Sequence, residues 1–149
     1  MSSRNRRHRG SLGQALVESS IVVLLMIVLS FTIFDFGHFF WALLTFQHAV
    51  STGTRFAVTN SELPDMSRDE SIRHAIKEAT PGFAVDNDDI SFYNVTADSP
   101  GAGGPNDVVR VTVEHDFSFL TPGIEHLFEG GRLRFQVSST MRNEPPPFE

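Results

Sequence analysis

Five groups of residues in this chain could do chemistry. Glu18 is a carboxylate inside an otherwise apolar run. Asp35-Phe36-Gly37-His38 sets an acid and an imidazole three residues apart, which is one side of a helix. Asp86, Asp88 and Asp89 offer the hard carboxylate oxygens that Ca²⁺ takes. Ser99-Pro-Gly-Ala-Gly-Gly-Pro-Asn106 has the composition of a phosphate-binding loop. The remaining histidines are His8, His48, His74, His115 and His126.

Most of these sites are incomplete. The Asp35/His38 pair lacks further ligands, so its expected role is polar, facing lipid headgroups or another helix. The other histidines have no metal-ligand spacing. The Asp86–Asp89 run lacks the glycine and distal glutamate of a calcium loop, and a solvated turn is the better reading. The 99–106 loop has no Lys-Ser/Thr ending and no helix after it, so the fixed amide cradle is missing and a flexible hairpin is expected. With no cysteine, thiolate chemistry, disulfides and Cys-based zinc are excluded. No Ser, His and acid cluster suggests itself on loops, and the domain is small for a catalytic cleft. No enzyme, cofactor or metal site is expected. Glu18 is the exception, because a charge in an apolar helix is costly unless it reaches water or a partner. Snorkelling to the cytoplasmic interface is the plain reading of it.

The element that must carry Glu18 is long and apolar. Ser19 to Phe34, with Ala15, Leu16 and Val17 upstream, makes about 20 residues, the length that crosses a ~30 Å hydrocarbon core. No A-x-A site closes the run, so it reads as an anchor that stays. Arg4, Arg6, Arg7 and Arg9 precede it without an acid, whereas the residues after Gly53 carry eight basic side chains against sixteen acidic ones. Basic flanks remain cytoplasmic, which puts the N-terminus inside and the acidic part outside. Four arginines beside an acidic body suit a membrane flank better than a nucleic acid.

The helical pattern continues past the bilayer. Phe36, Phe39, Leu43, Phe46, Val50, Gly53 and Ala57 recur at steps of three and four, with Gln47, His48, Ser51, Thr52 and Arg55 off the stripe. Half of the stripe is expected to pack under an outer sheet and the rest against neighbouring helices. Phe39, Phe40 and Trp41 would sit near the outer interface. Further on, Ser67-x-x-Glu70 is a capping box opening a helix to about Thr80, stopped by Pro81-Gly82, with Ile72, Ala75, Ile76 and Ala79 on its apolar side. Alternation then predicts three strands, over 90–95, around Val109–Phe117 and over 132–141. Pro122-Gly123 and Gly130-Gly131 bracket a short turn at 124–128. The expected fold is α+β: a long N-terminal helix, membrane-spanning in its first half, packed on a small antiparallel sheet with one additional helix.

Two stretches resemble known sequences. Arg9-Gly-Ser-Leu-Gly13-Gln14-Ala-Leu-Val-Glu18 resembles a prepilin processing site: a basic leader, a glycine, then glutamate at the fifth residue after the cut. Gln14 and Ser19 stand where prepilins usually have Phe or Met, and Phe. Glu18, the apolar run, Asp35-Phe36-Gly37-His38 and Ala49-Val-Ser-Thr-Gly53-Thr-Arg55-Phe-Ala57-Val58 together resemble the TadE-like family of minor pseudopilins, with His38 and Thr54 as departures. Ser139 to Glu144 is similar to the family's last strand.

The resemblance implies a pilin-like architecture with a cleaved leader at 1–13, a transmembrane and periplasmic helix at 14–58, an extracytoplasmic αβ domain at 59–144 and an extended tail at 145–149. It implies a prepilin peptidase cutting between Gly13 and Gln14, with Glu18 pairing with a neighbour's Gln14 amine to set the assembly register. Phe36, Phe39, Leu43, Phe46 and Val50 would serve helix packing. The implied partners are other pilins and pseudopilins, inner-membrane platform proteins and membrane lipid. The implied function is initiation or tip assembly of a Tad-type pilus, hence adhesion and biofilm formation. The other reading is an uncleaved single-pass anchor whose outer domain binds a ligand or envelope polymer.

Overall fold

The computed structural model describes residues 6–59, 63–121, 126 and 128–145. Helix α1 runs Arg6–Val58, 53 residues and so about 80 Å long. Residues 13–31 are exposed on every side of it, and from Asp35 onward one face is covered by the rest of the chain. Over residues 13–31 no described residue from elsewhere in the chain covers the helix. Above Asp35, the 3–4 spacing of apolar residues gives a face that a sheet can cover.

Helix α2 spans Arg68–Glu78. Ser67 and Glu70 close a reciprocal capping box at its start, as the spacing predicts. At its end the Thr80 hydroxyl donates to the Ile76 and Lys77 carbonyls, and Pro81 cannot continue the helix. α2 crosses α1 at Gly53. A Cβ there would lie 2.3 Å from Ile76 Cγ1, so only glycine permits this approach.

The sheet has strands β1 (Ile90–Asn94), β2 (Ser99–Pro100), β3 (Val108–Phe117) and β4 (Leu133–Arg142) in the order β2-β1-β3-β4. All neighbours are antiparallel, with Ile90 opposite Val113, Val108 opposite Arg142 and Phe117 opposite Leu133. Val109, Val111, Val113 and Phe117 of β3 point inward and are buried, as their alternation requires. The three valines meet Phe46, Ala49, Val50 and Ala57 of α1 and Ile72 and Ile76 of α2 in the main core, while Phe117 packs against His38 and Phe39.

In the sheet and its loops the structure departs from the sequence reading in four places. A fourth strand, β2, is two residues long, too short to leave a periodic trace. The 99–106 loop is not a free hairpin. Arg68 donates to the Gly103 carbonyl, Asn143 Nδ2 donates to the carbonyls of Ala102 (3.1 Å) and Gly104 (2.8 Å), and Asp107 accepts from the Gly104 N–H at 2.8 Å. Leu133, Phe135 and Val137 are half-buried, because β4 is an edge strand and covers less area. His115 joins the inward set of β3, where spacing alone left it unassigned. The 124–128 turn lies outside the described residues except at positions 126 and 128, as do residues 1–5 of the leader and 146–149 of the tail.

Candidate membrane and assembly interface

Gly13, Gln14 and Glu18 all lie on α1 and are exposed. Gln14 and Glu18 are one helical step of four apart and so share a face. From Leu16 to Phe34 the large side chains are solvent-facing in the isolated chain, a continuous apolar surface far beyond what a soluble protein leaves bare. This is the one described helix long and apolar enough to cross a membrane. Its polar interruptions satisfy themselves: the hydroxyls of Ser20, Ser30 and Thr32 donate to the carbonyls of Leu16, Met26 and Val28 at 2.8–2.9 Å. Glu18 has no such intrahelical outlet for a charge.

At Asp35 the helix changes character. Asp35 is 1% exposed. Its Oδ1 accepts from the Leu120 N–H at 2.7 Å and its Oδ2 from the Thr121 N–H at 2.9 Å. The expectation that Asp35 and His38 face headgroups or another helix is therefore corrected: both turn toward their own domain. His38 stacks on Trp41 and Phe83 and meets Phe117 edge-on at 5.2 Å. Two backbone N–H groups in the turn beyond β3 need an acceptor, and a carboxylate supplies one oxygen to each.

The predicted packing residues split between two faces. Phe46 and Val50 are fully buried in the chain's own core. Phe39 packs edge-on against Phe117 and Phe135 and is half-buried, as is Leu43. Phe36 is 59% exposed and belongs to the opposite face with Phe40 and Leu44, steps of four along the helix. Phe40 and Leu44 follow Phe36 at four-residue steps, a second stripe beside the first. The Thr54 side chain, buried against α2, donates to the Val50 carbonyl at 2.6 Å and so brings no unsatisfied hydroxyl into the core.

The aromatic cluster contains a second imidazole. His115 stacks on Phe46 at 4.6 Å and touches Phe83 and Phe135. Burial there pushes its pKa below the usual histidine value, partly offset by Asp89 and Asp116. Asp116 is held low by its hydrogen bond and ion pair with Arg134 at 2.8 Å. Asp86 and Asp89 fold on each other, the Asp86 N–H donating to Asp89 Oδ2 at 2.8 Å. Among the described residues no group of three or more His, Cys, Asp or Glu is placed to hold a metal ion.

The chain thus presents an apolar helix with a glycine and a lone carboxylate near its start and an acidic clamp where the folded αβ part begins. Residues 13–55 match the family model of TadE-like proteins. The TadE-like match begins at Gly13 and ends at Arg55, taking in Glu18, the apolar run, the Asp35–His38 element and the Gly53 crossing. It points to a Tad pilus-associated protein. No curated protein and no solved structure matches the chain. The TadE-like segment is one half sheathed by its own domain and one half bare.

Proposed function

We propose that the chain is a structural minor pseudopilin of a Tad-type pilus, acting in initiation or at the tip, and through that pilus in adhesion and biofilm formation. The observation that carries this reading is the coincidence of the TadE-like match with a bare apolar helix that starts at Gly13 and holds one carboxylate, Glu18. A prepilin peptidase cuts between Gly13 and Gln14, a bond where glycine already weakens the helix by roughly 0.5–1 kcal/mol relative to alanine. The cut frees a cationic amine at Gln14. The Glu18 carboxylate of a neighbouring subunit pairs with it, which offsets the cost of an acid at the membrane edge, a few kcal/mol on insertion scales.

In this reading the N-terminus is cytoplasmic, the domain is periplasmic, and inner-membrane platform proteins extract the helix into the fibre. Phe36, Phe40 and Leu44 meet other pilins on the face that the domain leaves open. The deciding experiment is mass spectrometry of the protein from its own host. Gln14 should be the first residue. Glu18→Ala should leave the domain folded yet lower pilus number and co-purification with other pilins, with Glu18→Asp intermediate. An intact leader together with normal pili in Glu18→Ala would favour the uncleaved binding-domain reading instead.

A further inference from the structure

The end of β3 sits at an unusual height. Asp35 follows directly on Phe34, the last residue of the bare apolar run, and it holds the N–H groups of Leu120 and Thr121. The turn at Phe119–Leu120 is therefore fixed at the level where the helix leaves the hydrocarbon core. Leu120 is 66% exposed there. Phe119 is half-buried, stacked on Phe128 at 4.8 Å, and Phe34 and Phe36 stand exposed on the helix at the same height. Arg132 is exposed just before β4, whose first residue Leu133 pairs with Phe117 at this same end of the sheet. Apolar side chains from two segments 85 residues apart thus meet one plane, with a cation beside them.

We propose that the Phe119–Leu120 turn is a second membrane contact, seating the outer domain on the outer leaflet with Leu120 in the acyl–headgroup boundary and Arg132 toward lipid phosphate. A leucine side chain moved from water into that boundary loses apolar exposure, and a basic side chain beside it gains an anionic neighbour. The contact is continuous with the membrane helix, which identifies its occupant as lipid. A neighbouring subunit would have to enter the same narrow plane between domain and bilayer. The domain is thereby held at a fixed angle to the membrane before any assembly. The inference rests on α1 spanning the bilayer and is independent of the pilus role.

The test uses the full chain in nanodiscs loaded with one copy each, so that no neighbouring subunit is present. The sequence has no cysteine, so single Cys substitutions label cleanly. An environment-sensitive fluorophore is placed in Leu120→Cys, in Thr140→Cys at the far end of β4, and in Leu24→Cys within the span. With shallow-brominated phosphatidylcholine the probe at 120 should be blue-shifted and quenched several-fold more than the probe at 140. Equal, weak quenching at 120 and 140 with strong quenching at 24 overturns the contact but leaves the membrane anchor standing. Strong quenching at both 120 and 140 means the domain lies flat, which also overturns it. Absence of quenching at 24 would remove the anchor and the contact together.

Discussion

The two halves of α1 are one continuous helix with opposite surroundings. Over Gln14–Phe34 large apolar residues face outward all round. Over Asp35–Val58 the same residue types are sorted: Phe46, Ala49, Val50 and Ala57 inward, Phe36, Phe40 and Leu44 outward. Hydrophobicity alone does not distinguish them. What does is the return of the chain, which brings a sheet and α2 against one face of the upper half and, among the described residues, nothing against the lower. Burial energy in the upper half belongs to folding. In the lower half it belongs to the solvent the helix is placed in.

Mutations that treat the halves alike should expose this difference. Phe46→Ala should cost the domain about 3–5 kcal/mol, measured by denaturant unfolding in detergent with Trp41 as reporter, whereas Leu25→Ala should stay within about 0.5 kcal/mol. Comparable losses would mean the lower half also packs on the domain. At the junction, Asp35→Ala leaves two N–H groups without their acceptor and should cost about 2–3 kcal/mol, with Asp35→Asn, which keeps one acceptor oxygen, losing less. Gly53→Ala should cost about 1–2 kcal/mol net, overpacking against Ile76 outweighing the helix gain, and Ile76→Val in the same chain should restore part of it. Gly13→Ala, which meets nothing, should leave domain stability unchanged.

The smallest effect is a pH dependence confined to the upper half. His115 has a lowered folded pKa, so the folded domain binds its proton less readily than the unfolded chain does. Its contribution is fully present above the ordinary histidine value of about 6.5 and is lost as pH falls through the lowered folded value. His115→Gln removes the stacked ring and so should lower the unfolding midpoint at every pH, but it should flatten the dependence on pH in that window. A midpoint that rises on acidification would reverse the sign and show the imidazole paired with Asp89 or Asp116 instead of desolvated.

Much of this arrangement was written locally. A capping box, a Pro-Gly stop and the Val109–Val111–Val113 alternation each report on neighbours within a few residues, and each element formed where its pattern lay. Glu18 and Gly13 were conspicuous for the same reason, as exceptions in uniform surroundings. Asp35 was visible as a polar group, but its partners lie 85 and 86 residues away, and no spacing rule reaches that far. His115 was hidden because a histidine among valines breaks the apolar count while still fitting between aromatic rings. The 99–106 loop misled by composition: its glycines allow freedom that Arg68 and Asn143 then remove from elsewhere in the chain.

The domain is fastened to α1 at both ends of their shared length. At one end Asp35 holds Leu120 and Thr121, and at the other the Glu144 N–H donates to the Val58 carbonyl at 3.0 Å while Arg68 Nη2 donates to that of Ala57 at 2.8 Å. These fastenings are 23 helix residues apart, about 35 Å. Tension applied along the axis between them does not fall on the helix alone. Lengthening that stretch also loads the strand that joins the two fastenings, so force is divided between a rod and a stay running beside it. Below Asp35 no described part of the chain runs beside the helix, and there the rod bears the force by itself.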